Sequence, residues 1–386
     1  MFEKIEVLFE KFFSSIKPAP AGIYHYQAPP DAELPYRLHL RIEPDGNGLL
    51  IVNASTVLHL NRTAAEYAYH LLQNTPEKKS AELMADKYEV SKEKALQDYR
   101  SFVERIETLV HTPDLDPVTF LDFDRVQPYI QKISAPYRLD CALTYQVSQK
   151  ARKDAAPLER VDRELNAEEW KKILEKAWHA GIPHVVFTGG EPTLRKDLIA
   201  LITYAEKLGL VTGLLTDGIS LGKKKYLQDL LLSGLDHVMM LCDQGSKNFW
   251  QSLKAVLAED IATTVHVTLM PDNKDKIESL LEKLAKLGVT SLSLSVSDLA
   301  LQDWLKDVQQ MAVDNGLSLV WDLPVPYSNY NPVSLELEVG GGRLAKGAGK
   351  AWLYIEPDGD VLPAQGINKV LGNMLRDPWE RIWKRH

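Results

Sequence analysis

Short apolar runs and amphipathic segments alternate regularly along the chain from about residue 135 onward. The apolar runs predict seven strands, at 138–143, 184–188, 211–216, 237–241, 264–269, 291–295 and 318–322. The segments between them repeat apolar residues at helical spacing and predict six helices, at 167–180, 196–208, 223–233, 248–259, 274–287 and 301–315. This alternation indicates a parallel α/β sheet, and its order permits either a doubly wound sheet or a barrel.

A different pattern fills residues 36–112. Apolar and polar positions alternate at 37–42, and the segments 49–52 and 56–60 continue as strands, which predicts a β-meander with a turn at 45–48. Three helical patterns follow, near 61–73, 79–87 and 92–110. Asn61 begins the first of them, with Thr63 and Glu66 as a candidate capping box. The prolines at positions 18, 20, 29 and 30 indicate a loop, and the aperiodic stretch 113–134 indicates a linker.

The first 17 residues show an amphipathic helical pattern with an aromatic face. The apolar positions on this face are Ile5, Leu8, Phe9, Phe12, Phe13 and Ile16. Such a face could contact a membrane. The mixed charges on the remaining positions favour packing against the rest of the chain or against a second chain.

Composition excludes several classes of protein. The chain has 386 residues and a net charge of −8 with both signs interspersed, so no basic patch predicts nucleic-acid binding. No apolar run is long enough for a transmembrane helix, and no secretory signal precedes the first proline. Only two cysteines are present, Cys141 and Cys242, which is typical of a protein in the reducing cytoplasm.

A glycine-rich turn follows the second predicted strand and reads Thr188-Gly189-Gly190-Glu191-Pro192. It resembles the S-adenosylmethionine-binding loop of the radical SAM superfamily. Polar residues at three further strand positions match that resemblance: Thr216, Asp243 and His266. The resemblance implies a partial (β/α)6 barrel whose loop backbone and Glu191 contact the methionine amino group. The alternative is that each of these residues serves an ordinary turn.

The cysteines that this family uses to bind a four-iron four-sulfur cluster are absent. Laid on the family's C-x-x-x-C-x-x-C pattern, the ligand positions fall on Val147, Ala151 and Asp154. We therefore predict no cluster, no other metal site and no tightly bound S-adenosylmethionine, and we expect the charged loop at 146–164 to be exposed or disordered. The thiol of Cys141 is expected to be a small buried hydrophobe, and that of Cys242 could face the barrel cavity.

The tail beyond residue 346 resembles the SPASM or twitch extension of peptide-modifying radical SAM proteins. The cysteine positions of that extension fall on Lys346 and Ala364. A hairpin turned at 357–360 and a closing helix with Trp379 and Trp383 remain. A second ancestral cluster site is therefore also predicted to be degenerate.

The phrase Leu60-Asn61-Arg62-Thr63-Ala64, within the meander-and-helix pattern, resembles the small PqqD-like domain of peptide-modifying systems. The resemblance implies a winged-helix-like fold that binds the leader of a ribosomal peptide by strand addition, with Leu60, Asn61, Thr63 and Ala64 at the site. The alternative is a packing module that binds no peptide. The predicted organisation is a helix at 1–18, this domain at 19–112, a linker at 113–134, the barrel at 135–325 and a vestigial extension at 326–386.

Together these patterns predict a radical SAM-like pseudoenzyme that binds a ribosomal peptide in the cytoplasm. It would act as a carrier, a scaffold or a regulatory partner of an active radical SAM homologue. One alternative is an enzyme repurposed for non-radical chemistry through Glu191, Asp243, His266 or Cys242. Another is an active radical SAM enzyme with unusual cluster ligands.

Overall fold

A computed structural model describes residues 19–29, 32, 36–53, 56–112, 115, 121, 133–148, 152, 154–335 and 346–384. The chain divides into two compact units, Met1–Ser134 and Ala135–His386. The predicted helix at 1–18, most of the predicted linker at 113–134 and the ligand position Ala151 lie outside the described residues.

The first unit contains a four-stranded antiparallel sheet of β1 (Gly22–Gln27), β2 (Arg37–Ile42), β3 (Gly48–Val52) and β4 (Thr56–Leu60). The strands lie in sequence order, so β1 and β4 form the two edges. Strand β1 falls where the prolines predicted only a loop, and that prediction is wrong for these six residues. The strand forms because Tyr24 and Tyr26 pack against the core of the unit while its backbone pairs with β2.

Three helices follow the sheet: α1 (Arg62–Leu72), α2 (Glu77–Tyr88) and α3 (Lys92–His111). The side chain of Asn61 caps α1 by accepting a hydrogen bond from the Ala64 amide at 2.9 Å. The predicted capping box does not form at Thr63 and Glu66, because Glu66 is buried and its carboxylate accepts bonds from Lys87 and Tyr88.

The second unit contains seven parallel strands in sequence order. They are β5 (Arg138–Thr144), β6 (His184–Gly189), β7 (Val211–Thr216), β8 (His237–Leu241), β9 (Ala262–Leu269), β10 (Ser291–Val296) and β11 (Ser318–Leu319). Six helices connect them: α4 (Ala167–Ala180), α5 (Leu198–Leu208), α6 (Lys224–Leu232), α7 (Lys247–Val256), α8 (Ile277–Lys286) and α9 (Gln302–Asp314). These elements follow the predicted order closely.

A hairpin extends the same sheet beyond β5. Strand β12 (Trp352–Ile355) pairs in parallel with β5, and β13 (Asp360–Leu362) and β14 (Gly372–Asn373) continue antiparallel. The chain then forms α10 (Trp379–Lys384), in which the Trp379 and Trp383 rings stack. The described strands of this unit thus form one ten-stranded sheet. Closure into a partial barrel, the winged-helix assignment and the SPASM assignment stay predictions.

The two faces of this sheet differ in character because side chains alternate along each strand. One face packs the helices into a continuous apolar core, with Leu139, Phe187 and Val265 among its strand residues. The other face, here called the polar face, is lined by Asp140, Ala142, Val186, Thr188, Leu215, Met239, His266, Thr268, Ser293 and Ser295. Polar chemistry in this unit is therefore concentrated on one side of the sheet.

None of the helices in the described part of the chain is long and apolar enough to cross a membrane.

We expect the Lys87→Met substitution to lower the free energy of unfolding by about 3 kcal/mol, because it strands the carboxylate of Glu66 in a buried site. The Lys87 ammonium lies 2.5 Å from a carboxylate oxygen whose side chain is 6% exposed. Lys94→Ala is the matched control: its partner Asp98 is 39% exposed, so the loss should be below about 0.5 kcal/mol. Urea denaturation measures both, and equal losses would contradict the assignment.

Candidate functional site

The loop after β6 is joined to the end of β5 by backbone hydrogen bonds. The Gly190 amide donates to Thr144 O at 2.8 Å, and the Glu191 amide donates to Gln146 O at 2.7 Å. A Cβ atom on Gly190 would lie 2.2 Å from Gln146 O, and one on Gly189, whose φ is +118°, would lie 2.2 Å from Thr144 O. Both glycines are therefore required by the chain's own packing, whether or not a ligand approaches them.

The Glu191 carboxylate connects the same loop to the end of β7. One oxygen accepts from the Thr193 amide at 2.9 Å and from the Thr216 hydroxyl at 2.8 Å, and the other accepts from the Asp217 amide at 2.7 Å. Burial and the neighbouring Asp217 carboxyl raise the pKa of Glu191 to about 8, and burial also raises the pKa of Asp217. Pro192 follows in a short 3-10 turn and is buried. The residues predicted to hold a ligand here thus brace two strand ends against each other.

Two buried hydroxyl groups near this loop lack hydrogen-bond partners within the described chain. One is Thr188 Oγ1 on the polar face, and the other is the Tyr226 hydroxyl on α6. Burial and the nearby Glu191 raise the pKa of Tyr226 to about 12, so its phenol stays protonated. Sequence reasoning missed Tyr226 as a site residue, because only the fold brings α6 close to Glu191.

His266 lies on the polar face and is enclosed by hydroxyl groups. Its Nδ1 is 3.0 Å from Ser293 Oγ, and its Nε2 is 2.9 Å from Ser295 Oγ and 3.3 Å from Thr268 Oγ1. Burial lowers the pKa of His266 to about 4, so the ring is neutral at physiological pH. Both ring nitrogens are occupied, which makes His266 a better anchor between β9 and β10 than a general base.

Asp243 follows β8, and its carboxylate accepts from the Gly245 amide at 3.1 Å. The Tyr330 hydroxyl lies beside it, and burial together with Asp243 and Cys242 raises the pKa of Tyr330 to about 12. Burial followed by Asp243 also raises the pKa of the Cys242 thiol to about 12. Cys242 is therefore a protonated thiol rather than an activated nucleophile.

The predicted cluster positions do not gather into a site among the described residues. Val147 packs at the edge of an apolar cluster around Tyr145 and Tyr327, while Asp154 is exposed and paired with Arg152 at 2.6 Å. In the tail, Lys346 is exposed and Ala364 is half-buried.

Part of the charged loop contains buried residues, although most of its described charged side chains are exposed. Ala155 and Ala156 are buried, and the Arg160 guanidinium lies 3.6 Å from the Glu356 carboxylate. The Tyr145 hydroxyl donates to that same carboxylate at 2.8 Å. The expected exposure is therefore found for most of the described charged residues of this loop and is wrong for Ala155 and Ala156, which are buried, while the Glu356 carboxylate holds Arg160 beside β12.

The residues predicted to bind a peptide lie where β4 meets α1. Leu60 ends β4 and is buried, and Asn61 is used as the helix cap. Thr63 and Ala64, in the first turn of α1, are half-buried. Edge strand β4 itself offers a longer surface than these four residues.

A histidine pair lies at the opposite ends of the strands, away from the glycine loop. The Nε2 atoms of His184 and His237 are 2.7 Å apart, and burial, followed by Arg138, lowers the pKa of His237 to about 4. Gly213 on the strand between them makes room: a Cβ atom there would lie 2.2 Å from the His237 ring.

Comparison with known proteins identifies the central region. Residues 141–296 match the model of the Radical SAM superfamily. The chain is 27% identical over 277 residues to a PqqA peptide cyclase of Methylobacterium nodulans, covering 62% of this chain and 69% of that protein. It is 25% identical over 290 residues to a PqqA peptide cyclase of Streptomyces rochei, covering 65% and 76% respectively.

Among solved structures, the chain resembles Streptococcus suis SuiB with a TM-score of 0.59 and 17% identity, over 90% of this chain and 86% of SuiB. SuiB bound to its precursor peptide SuiA matches with a TM-score of 0.58 over 89% of this chain. This likeness shows a shared α/β fold with a parallel sheet.

The prediction that the chain takes no cofactor is wrong by these comparisons. Radical SAM proteins use an iron–sulfur cluster and S-adenosylmethionine, and SuiB has been solved with S-adenosylmethionine bound. The prediction relied on the missing cysteines, whereas the family match covers residues 141–296, which include the glycine loop and the strands before and after it.

The side chains present fit the two cofactors unequally. Cys141 is fully buried inside β5, and Cys242 is a protonated thiol, so the chain does not offer the three thiolates of a conventional cluster site. Within the part of the chain that the structure describes, no group of three His, Cys, Asp or Glu side chains could hold a metal ion. The unpartnered Thr188 hydroxyl, in contrast, suits a small polar ligand such as S-adenosylmethionine.

We expect the stability of the protein to fall between about pH 4.5 and 8 through Glu191. The pKa of this carboxyl rises from its ordinary 4.5 to about 8 on folding, so the folded state binds the extra proton throughout that window. Glu191→Gln removes this dependence, and the variant should gain stability relative to the parent as pH rises. Urea denaturation at pH 5, 6.5 and 8 measures the difference. A constant difference between the two proteins across these pH values would mean that Glu191 is ionised in the folded state.

Proposed function

We propose that this protein binds a ribosomally made precursor peptide and serves its maturation as a carrier, scaffold or regulatory partner. One observation carries the proposal: the fold of SuiB, which has been solved with its precursor peptide, extends over 89% of this chain and so includes part of both units. The PqqA peptide cyclases, named for acting on a peptide, support the same substrate class.

The first unit supplies a surface suited to an extended peptide. Strand β4 lies at the edge of the antiparallel sheet, and Leu58 and Leu60 anchor it to the core while Thr56 and Val57 are half-buried. A peptide can add to such an edge through main-chain hydrogen bonds, with a few side-chain contacts to select it. Leu60, Asn61, Thr63 and Ala64 would then define the end of the peptide site at the start of α1.

The glycine loop of the second unit supplies a place for S-adenosylmethionine. Thr188 and Glu191 would hold the polar methionyl end of this ligand, Thr188 through its unpartnered hydroxyl. When bound, S-adenosylmethionine supplies an electrophilic sulfonium group. Thr216 and Asp217 would act indirectly by fixing the Glu191 carboxylate, while Asp243 and His266 lie at neighbouring strands of the same sheet.

The names of the relatives favour a second candidate function, an enzyme that modifies the same peptide. The mass of the peptide after incubation distinguishes the carrier function from the enzyme function. Incubation of the bound peptide with the protein, after reconstitution with iron and sulfide and addition of S-adenosylmethionine and reductant, changes the peptide's mass only if the protein is an enzyme.

Thr188→Val should raise the free energy of unfolding by about 1 kcal/mol, because it replaces a buried, unpartnered hydroxyl by a methyl group of similar size. If the hydroxyl contacts S-adenosylmethionine, the same variant should bind that ligand about fivefold more weakly in calorimetry. Thr216→Val is the control, and it should be destabilised because Thr216 donates to Glu191. Unchanged ligand affinity in Thr188→Val would remove Thr188 from the proposed site.

Val57→Lys should weaken peptide binding about tenfold or more, because a lysine on an edge strand blocks strand addition. Ile23→Lys is the matched control: Ile23 is a half-buried residue on the opposite edge strand, and its substitution should leave binding unchanged. The probe is a synthetic leader of a short peptide gene adjacent to the gene for this protein, measured by fluorescence anisotropy.

The same measurement distinguishes the binding mode. Affinity for the leader should change little between 0.05 and 0.5 M salt, because main-chain hydrogen bonds dominate strand addition, and a proline at the centre of the leader should abolish binding. Equal weakening by Ile23→Lys and Val57→Lys, or no binding below 100 μM, would argue that the unit is a packing module.

A further inference from the structure

A segment of the chain lies along the polar face of the large sheet. This segment, residues 322–331, is here called the strap. At one end the Arg138 guanidinium donates to Asp322 O at 2.5 Å, beside the start of β5. At the other end the Tyr327 amide donates to Gly189 O at 2.8 Å, at the last residue of β6.

The strap spans the full length of the strands. An extended chain advances about 3.3–3.6 Å per residue, so the five steps from Asp322 to Tyr327 cover roughly 17 Å. The six residues of β6 span a similar distance. Between these ends, Leu323 packs on the apolar patch formed by Val186, Leu215 and Met239 in the middle of the polar face.

The strap reaches the candidate site at the strand ends. Tyr327 is buried, and its ring meets that of Tyr145 at 5.4 Å in a T-shaped arrangement. Tyr330 lies beside Asp243 at the end of β8. The strap therefore contacts residues at the ends of β5, β6 and β8, which include the glycine loop predicted to approach a ligand.

Several contacts hold the strap from Tyr327 onward, where the Arg160 guanidinium donates to the Tyr327 hydroxyl at 3.4 Å and the Arg152 amide donates to Asn329 Oδ1 at 2.7 Å. Pro324 and Pro326 have no amide hydrogen, and Val325 O accepts bonds from the side chains of Asn331, at 2.6 Å, and Gln365, at 2.9 Å. Most of its residues are exposed or half-buried. Asp322 also adopts a left-handed conformation, with φ of +65°, which is unfavourable for a residue other than glycine.

We propose that the strap is an internal occupant of a groove for an extended polypeptide, and that it must leave the polar face before a peptide reaches the strand ends. Between Asp322 and Tyr327 the strap is a proline-containing segment held by Leu323, by the buried Tyr327 and by hydrogen bonds at both ends and at Val325 O. The groove it fills therefore has the length and the anchors that an extended peptide requires. This inference rests on the proposed peptide-binding function, and it adds a second peptide surface with a built-in competitor.

The full-length double variant Asn331→Ala/Gln365→Ala tests the proposal, because it removes both side-chain donors to Val325 O. Hydrogen exchange of the strap should become about tenfold faster in this variant, while exchange of β6 is unchanged. A labelled synthetic peptide with the sequence of residues 320–333 should bind the double variant at least tenfold more tightly than it binds the parent protein, since less of the groove is occupied. A scrambled peptide should bind neither.

Asn315→Ala is the matched control, because the Asn315 amide also donates to a backbone carbonyl, that of Met311 at 2.8 Å, but at the end of α9. It should alter neither strap exchange nor peptide binding. The proposal is overturned if the strap exchanges as slowly as β6 in the double variant, or if the peptide does not bind it.

Native-state exchange of the parent protein provides a second test should the double variant fail to fold. The Tyr327 amide should open at lower denaturant than the amides of β6, through a local rather than a global opening. Opening of both only with global unfolding would show that the strap is part of the core. These outcomes are independent of peptide capture at β4, which depends on the first unit alone.

Discussion

Two backbone hydrogen bonds, from Gly190 to Thr144 and from Glu191 to Gln146, fix the geometry on which the functional end of the sheet depends. They bring the ends of β5 and β6 so close that neither Gly189 nor Gly190 has room for a side chain. The same approach turns the Glu191 carboxylate inward and presents Gly189 O to the strap. One close contact between two loops thus sets the positions of the buried carboxylate, the unpartnered hydroxyl and the covering segment.

The glycine loop and Glu191 have a structural role that does not depend on a bound ligand. The glycine loop satisfies its hydrogen bonds within the chain, and Glu191 braces β6 against β7, so both contribute to folding without any ligand. Fold and function therefore make separate demands on the same residues. Residues 141–296 match the Radical SAM model, whose members use an iron–sulfur cluster and S-adenosylmethionine, while the loop contacts described here are made within the chain itself.

The central elements could be predicted from sequence because strands rich in apolar residues alternate with helices that each have one apolar face. Strand β1 could not be predicted, because it lies between proline-rich stretches and is stabilised by pairing with β2 and by the packing of its tyrosines against the core. The burial of Glu66 depends on Lys87, which lies one helix away. His266 was recognised as a strand residue of interest, but its enclosure by Ser293 and Ser295 requires the neighbouring strand. The strap has no periodicity, so only the fold reveals its course.

The histidine pair at the far ends of the strands has a consequence for how this sequence can diverge. Gly213 occupies the central strand between His184 and His237, and any side chain there would overlap the His237 ring. A change at position 213 is therefore tolerated only after position 237 has become smaller, whereas the reverse order passes through an overpacked intermediate. Positions 213 and 237 lie on adjacent strands, next to the hydrogen bond that the Thr212 amide donates to Asp236. Substitutions at these two positions can therefore accumulate in one order only.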